Sequence, residues 1–110
     1  MEERTIRKGE IYFCSLSKTQ GSVQYGGRYC IIVSNNTGNL YSPTVMVVPC
    51  TTKTKHNLPT HFDIQLDKPS TVLCEHILTI HKSQIQGYYG QLSAEEHTKL
   101  NKCMIRALGL

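Results

Sequence analysis

Apolar residues in this sequence fall into short runs that are separated by stretches rich in Gly, Asn, Ser, Thr and Pro. Short apolar runs bounded by turn-forming residues are typical of β-strands, because a helix needs a longer periodic segment. We therefore predict strands over residues 11–16, 29–34, 44–48, 60–66 and 71–74. Residues 77–80 either continue the fifth strand after a bend or form a sixth.

The burial of two of these strands can be predicted from their pattern. The run from Cys30 to Val33 is continuous and β-branched, which indicates a strand buried on both faces. Residues 60–66 alternate instead, with Phe62, Ile64 and Leu66 on one face, as in a half-buried strand. Pro49 follows the third strand and cannot donate a ladder hydrogen bond. It therefore predicts a strand end or a bulge, after which residues 50–53 leave the sheet.

The connections are marked by turn-forming residues. Residues 17–27 form a long loop with glycines at 21, 26 and 27, and residues 35–39 form a turn cluster. We further expect a loop at 54–59, a turn at 68–70 and a connector over 82–90.

The C-terminal segment predicts an amphipathic helix. Ser93 and Glu96 have the spacing of a capping box, and Leu92 is placed to act as a hydrophobic staple. Apolar residues then recur at helical spacing, and Gly109 is a C-cap. The apolar positions are Leu100, Cys103, Met104, Ala107 and Leu108. Several short strands followed by one helix predict a single domain over residues 1–110, a small, mostly antiparallel β-barrel with an added helix.

Composition is that of an ordinary globular protein, with 39% hydrophobic and 18% charged residues. No apolar run approaches the roughly 20 residues that cross a bilayer, and the N-terminus lacks the apolar segment of a signal peptide. We therefore expect a cytoplasmic protein. The five cysteines form no C-x-x-C pair, and an odd number argues against a disulfide framework. Buried, reduced thiols are the expectation.

The distribution of charge is more informative than the net charge of +4. Residues 11–62 contain no Asp or Glu, but they include four cations. A half-domain with only positive charge favours a polyanionic partner such as nucleic acid, although carboxylates can also cluster by chance. The four cations are Lys18, Arg28, Lys53 and Lys55.

Arg28 stands at the junction between the long loop and the second strand. Gly26 and Gly27 precede it, and adjacent glycines allow close approach of a polymer to the main chain. The planar guanidinium group suits a phosphate. From these residues alone, a hairpin loop with a solvated Arg is the better explanation.

The order of motifs along the chain resembles that of the MazF/PemK toxin family. The matching segments are KGEIYF, GSVQYGGR, IIVSNN, SPTVMVVP, LPTHF, VLCEHILTIHKS and the terminal ALGL. The resemblance covers almost the whole chain and implies an SH3-like barrel of the CcdB/MazF type. It also implies a homodimer that binds single-stranded RNA in a groove and cleaves it without a metal ion, leaving 2′,3′-cyclic phosphate and 5′-hydroxyl ends.

The resemblance also implies the catalytic residues. The family's catalytic Arg falls on Arg28 and its catalytic Thr on Thr51. Attack of a ribose 2′-hydroxyl on the adjacent phosphate builds charge on the phosphoryl oxygens, which a guanidinium and a hydroxyl can stabilise. Arginine is a poor general base, since its side-chain pKa exceeds about 12. We therefore expect Arg28 to act electrostatically and to deliver a proton; the acceptor of the 2′-proton stays open.

Further candidates concern RNA binding. Histidine is the usual acid–base residue near neutral pH, but we interpret His61 and His76 as RNA contacts or structural residues. His61 alternates away from the apolar face of its strand, towards solvent or the groove. No set of residues has metal-ligand spacing, so no metal or other cofactor is expected. The candidate RNA-binding residues are Lys18, Gln24, Tyr25, Gly26, Gly27, Thr52, Lys53, Lys55, His61 and His76.

The implied protein partner is a cognate antitoxin with an acidic, disordered tail that folds on binding. Two other functions remain open: an RNA- or antitoxin-binding protein that has lost cleavage, and an inhibitor that, like the related CcdB group, poisons gyrase by protein–protein contact. The chain also departs from the family pattern. Tyr29 stands where relatives usually have Pro, Val23 where they often have Glu, and Leu78 where they usually have Arg.

Overall fold

The computed structural model describes residues 5–17, 26–53 and 58–110. These residues form seven β-strands, two α-helices and one short 3-10 helix, Lys82–Gln84. The strands are β1 Glu10–Leu16, β2 Gly26–Ile32, β3 Thr44–Thr51, β4 His61–Gln65, β5 Pro69–Leu73, β6 Leu78–His81 and β7 Ile85–Gln91. The helices are α1 Asn36–Tyr41 and α2 Ala94–Leu108.

The strands form one antiparallel sheet that curls into a small SH3-like barrel, and α2 packs against it. The strand order is β4-β5-β3-β2-β1-β7, and β6 pairs with β3 outside that path. The predicted fold class, a small antiparallel barrel with a C-terminal helix, is confirmed. Within the described ranges, neither helix combines the length and hydropathy needed to cross a bilayer.

Two groups of buried residues fill the two sides of the curled sheet. One group joins β2, β3, β4 and β5 to α2 through residues such as Ile31, Phe62 and Leu100. The other lies between β1, β2, β3 and β6 and includes Cys14 and Cys30. All five cysteines are buried and unpaired, as predicted.

The local signals for α2 and β4 are confirmed. Ser93 caps α2 through a complete capping box with Glu96, and Gly109 ends the helix at φ 70°. Leu100 and Cys103 are buried, but Leu108, predicted in the same stripe, is 54% exposed at the helix end. The alternation in β4 also holds, with Phe62 and Ile64 buried.

Three predicted connections were wrong. The turn cluster 35–39 begins a helix, because the Asn35 side chain accepts the Gly38 N–H as an N-cap. The connector 82–90 contains strand β7, which pairs with β1. Residues 26–27 of the long loop belong to β2, where they face Leu16 and Ser15.

Pro49 neither ends β3 nor makes the chain leave the sheet. It pairs with Cys30 of β2, and β3 continues to Thr51. On its other side, β3 pairs with β6 up to Val47 and with β5 from Cys50. On that side, Pro49 lies between the two ladders. No residue of β5 or β6 is paired with it there, so the N–H that proline lacks is not required for a ladder hydrogen bond. Similarly, Pro69 of the predicted turn is the first residue of β5.

Candidate active site

Arg28 lies in β2, opposite Cys14 of β1. Side chains alternate along a strand, so Arg28 shares its face with Cys30, two residues on. The pKa of the Cys30 thiol agrees with this placement. A hydrogen bond with Cys14 and burial raise that pKa far above its ordinary value, and the positive charge of Arg28 opposes the shift. The positive charge of the guanidinium group is therefore close enough to affect the Cys30 thiol on the same face of β2.

Thr51 is the last residue of β3 and pairs with Thr71 of β5. It is only 2% exposed. Its Oγ1 accepts a hydrogen bond from the backbone N–H of Lys53 at 3.2 Å. Because this bond uses a lone pair of the hydroxyl oxygen, the hydroxyl proton stays available for donation to another group.

The register between β2 and β3 relates the positions of Arg28 and Thr51, the two predicted catalytic residues. The last β2–β3 pair joins Cys30 to Pro49. Antiparallel strands run in opposite directions, so the same register, if extended by two residues on each strand, would pair Arg28 with Thr51. Both residues also lie an even number of positions from the Cys30–Pro49 pair, which puts them on the same face of their strands. The ladder itself ends at Cys30 and Pro49.

Gly26 and Gly27 precede Arg28 at the start of β2, and the structure favours glycine at both positions. Gly26 has a φ of 84°, in the left-handed region that favours glycine. A Cβ on Gly27 would lie 2.8 Å from Cζ of Phe13, so the Phe13 ring covers the Gly27 main chain. Phe13, rather than a polymer, occupies that side of Gly27.

The other predicted RNA-binding residues divide into three groups. Thr52 and Lys53 are exposed directly after Thr51. His61 and His76 lie at Glu75, as described next. Lys18, Gln24, Tyr25 and Lys55 lie outside the described residues.

His61 does not face open solvent, which corrects the prediction from alternation. Its side chain is 6% exposed, and Nε2 donates to Glu75 Oε2 at 2.7 Å. His76 Nε2 lies 3.6 Å from the same oxygen, and His76 Nδ1 is buried without a hydrogen-bond partner in the described part of the chain. Sequence reasoning missed Glu75 as the centre of this cluster, although its position directly before His76 was a signal.

Across residues 5–17, 26–53 and 58–110, no three His, Cys, Asp or Glu side chains are grouped so that they could hold a metal ion. The two predicted catalytic side chains offer a guanidinium group in β2 and a hydroxyl at the end of β3.

Comparison with known proteins identifies the family. A family model described as PemK-like, MazF-like toxin of type II toxin–antitoxin system matches residues 7–108. The chain belongs to this family. Among its MazF relatives is an endoribonuclease MazF from Staphylococcus saprophyticus, 39% identical over 111 residues that cover 96% of this chain and 92% of the relative.

Solved structures of MazF toxins share the fold. MazF from Deinococcus radiodurans superposes with a TM-score of 0.86 at 17% identity, over 98% of this chain and 100% of that one. A mycobacterial endoribonuclease in complex with its cognate antitoxin gives a TM-score of 0.80 at 27% identity, over 96% of each chain. The MazF-like fold therefore extends over nearly the whole of this chain.

Proposed function

We propose that this chain is a toxin that cleaves single-stranded RNA at specific sequences, without a metal ion, and leaves 2′,3′-cyclic phosphate and 5′-hydroxyl ends. Endoribonuclease activity follows from membership of the MazF-like family. The observation that supports the finer proposal is the β2–β3 register, which would pair Arg28 with Thr51 if it were extended by two residues on each strand.

Arg28 and Thr51 would act on the phosphate that is attacked. The ribose 2′-hydroxyl releases its proton as its oxygen bonds to the adjacent phosphorus, and the bond from phosphorus to the 5′-oxygen of the next nucleotide breaks. Negative charge grows on the phosphoryl oxygens, where the Arg28 guanidinium and the Thr51 hydroxyl proton stabilise it. The departing 5′-oxygen takes a proton and becomes the 5′-hydroxyl. Thr51 suits this role because its oxygen is already held by the Lys53 N–H.

The RNA would follow the carboxylate-free part of the chain, residues 11–62. In this part, Thr52 and Lys53 are exposed beside Thr51. Lys18, Gln24, Tyr25, Gly26, Gly27 and Lys55 complete the proposed RNA-binding set, and His61 and His76 stay in it as predictions. A cationic surface binds RNA through its phosphates, so binding should weaken with rising salt.

The proposed partners are a cognate antitoxin with an acidic, disordered tail and a second copy of this chain. A mycobacterial relative has been solved with its antitoxin, which supports the first partner. An acidic tail would compete with RNA for the same positive surface. We place this single-domain protein in the cytoplasm, where its RNA substrate occurs.

The test is digestion of a long unstructured RNA by the wild-type protein in excess EDTA. We expect cuts at discrete sites, 5′-hydroxyl ends that accept phosphate from a polynucleotide kinase without prior phosphatase treatment, and 3′ ends that resist ligation to a 5′-phosphorylated RNA until the cyclic phosphate is opened and the resulting phosphate is removed. Binding without cleavage would contradict the proposal and favour an RNA-binding protein. Inhibition of gyrase without RNA cleavage would favour a gyrase poison.

A further inference from the structure

The backbone hydrogen bonds between β2 and β3 stop before they reach the proposed catalytic pair. The last assigned pair is Cys30 with Pro49. Beyond it, β3 pairs with β5 through Cys50 and Thr51, on the side away from β2. At the level of Arg28 and Thr51, therefore, no β-ladder joins β2 to β3. A side-chain contact between β2 and the hairpin that pairs with Thr51 would restrain their separation.

Tyr29 provides such a contact. Its hydroxyl donates a 2.6 Å hydrogen bond to Asp67 Oδ2. Asp67 lies in the turn between β4 and β5, and β5 pairs with Thr51 through Thr71. The bond thus connects the residue after Arg28 to the hairpin that holds Thr51. Acceptance by a carboxylate makes it a strong hydrogen bond, and it raises the pKa of Tyr29 above its ordinary value.

Both ends of this contact are held by their surroundings. The Tyr29 ring packs edge-on against Phe13, with centroids 5.3 Å apart, and against Tyr89 at 4.9 Å. The register of β1 and β7 shifts at Tyr89, which is an extra residue between the pairs formed by its neighbours. Such a bulge redirects a side chain, and here Tyr89 contacts the Tyr29 ring.

The turn that carries Asp67 is also fixed. Leu66 is buried, and its N–H donates to the carbonyl of Lys68 at 3.2 Å. Ser70 Oγ donates to the same carbonyl at 2.9 Å. The carboxylate of Asp67 is therefore presented from a closed turn.

We propose that Tyr29 and Asp67 form a positioning pair that sets the separation between Arg28 and Thr51. The role of this separation in catalysis rests on the proposed function above. The hydrogen bond restrains β2 at the residue directly after Arg28. In this chain, a side-chain contact to the neighbouring hairpin supplies the restraint. Neither Tyr29 nor Asp67 touches the reacting atoms.

The kinetic test uses a short RNA that contains one cleavage site mapped with the wild-type protein. Tyr29→Phe keeps the ring and removes the hydrogen bond; Asp67→Asn removes the charge of the acceptor. We expect Tyr29→Phe to lower kcat about tenfold with little change in KM, since a misplaced group costs rate rather than binding. The double variant should be no slower than Tyr29→Phe, because both changes break one contact.

Tyr89→Phe is the matched control. It removes a hydroxyl from the adjacent ring, and that hydroxyl makes no hydrogen bond in the described part of the chain. Its kcat should equal that of the wild type. Equal kcat in Tyr29→Phe and Tyr89→Phe would overturn the proposal, as would a loss in Tyr29→Phe that disappears at a temperature where all variants are fully folded.

A second readout does not depend on RNA cleavage. The side-chain Nε–Hε resonance of Arg28 can be assigned in a nitrogen–proton NMR spectrum from its loss in Arg28→Lys. We expect Tyr29→Phe and Asp67→Asn to shift or broaden this resonance and Tyr89→Phe to leave it in place. An unchanged resonance in Tyr29→Phe would overturn the positioning role. If the wild type cuts no RNA but the resonance moves, the proposed function fails and the positioning pair stands.

Discussion

His61 and Glu75 form a side-chain hydrogen bond that ties the start of β4 to the turn after β5. His61 Nε2 donates to Glu75 Oε2 at 2.7 Å, and Thr60 Oγ1 donates to the other carboxylate oxygen at 3.1 Å. The turn is also held by the Cys74 N–H, which donates to the carbonyl of Thr60 at 3.0 Å. The carboxylate is therefore a structural acceptor at this end of the barrel.

This arrangement predicts a loss of stability in acid. Burial raises the pKa of Glu75, but the hydrogen bonds, first of all that from His61, outweigh it and leave the pKa below its ordinary value. A carboxyl group with a lowered folded-state pKa contributes stability above its unfolded pKa of about 4.3, and the contribution is lost as the pH falls through the folded value. Because the group is partly exposed, we expect only about 0.5 kcal/mol.

Chemical denaturation of the wild type and Glu75→Gln at pH 7 and pH 3 measures this contribution. The variant should be less stable at pH 7, and the difference should be smaller at pH 3. Glu95→Gln is the control, because Glu95 is exposed and lies 3.8 Å from Lys99 in a surface ion pair. A difference between wild type and Glu75→Gln that is the same at both pH values would contradict the linkage.

Gly9 is the second position where the structure makes a sharp prediction. Its φ is 89°, and an added Cβ would lie 2.0 Å from Nε2 of His97 on α2. Gly9→Ala should therefore lower the free energy of unfolding by at least about 2 kcal/mol, from backbone strain and a steric clash. Gly87→Ala, where nothing lies within 4 Å of the new Cβ, should change it by less than about 0.5 kcal/mol. Similar stability of the two variants, in urea titrations, would contradict the backbone strain and the steric clash expected at Gly9.

The five buried thiols should be unreactive in the folded protein. Burial raises the pKa of Cys50 to about 12, so almost no thiolate forms near neutral pH. Cys14 differs, since a hydrogen bond with Cys30 lowers its pKa, but its side chain has no solvent exposure. Titration with a chromogenic disulfide reagent at pH 8 should find no reactive thiol in the native protein and five after unfolding in guanidinium. Rapid labelling of Cys14 in the native state would contradict its burial.

The elements that the sequence predicts best are those with complete local signals. The capping box of Ser93 and Glu96 and the C-cap Gly109 fix α2, and the alternation of Phe62 and Ile64 fixes the buried face of β4. In these segments, local hydrogen bonding and the side-chain period agree with the tertiary structure. The order of strands and helix predicted a small antiparallel barrel with an added helix, and the resemblance to the family specified the SH3-like type of barrel.

The wrong predictions arise where tertiary contacts decide. Pro49 is tolerated within β3 because one side of β3 pairs with β6 before Pro49 and with β5 after it. No local sequence pattern shows this change of partner strand. β7 was not predicted, because its glycines and glutamines do not indicate a strand. Its pairing with β1 stabilises this segment as a strand. At the site, the relation between Arg28 and Thr51 depends on the register between β2 and β3. The hydrogen bond from Tyr29 to Asp67 joins residues that are 38 positions apart in the sequence. Contacts at that separation leave no periodic trace in the sequence.

The most direct test of the central claim is cleavage of a long unstructured RNA in excess EDTA by the wild type, Arg28→Ala and Thr51→Ala. Arg7→Ala and Thr79→Ala, at exposed positions outside the proposed site, control for the loss of a charge or a hydroxyl. We predict discrete cuts by the wild type and both controls and a loss of at least about a hundredfold in rate for Arg28→Ala and Thr51→Ala. Thr51→Ser, which keeps the hydroxyl, should retain cleavage. Undiminished cleavage by Arg28→Ala or Thr51→Ala, or no cleavage by the wild type, would contradict the account.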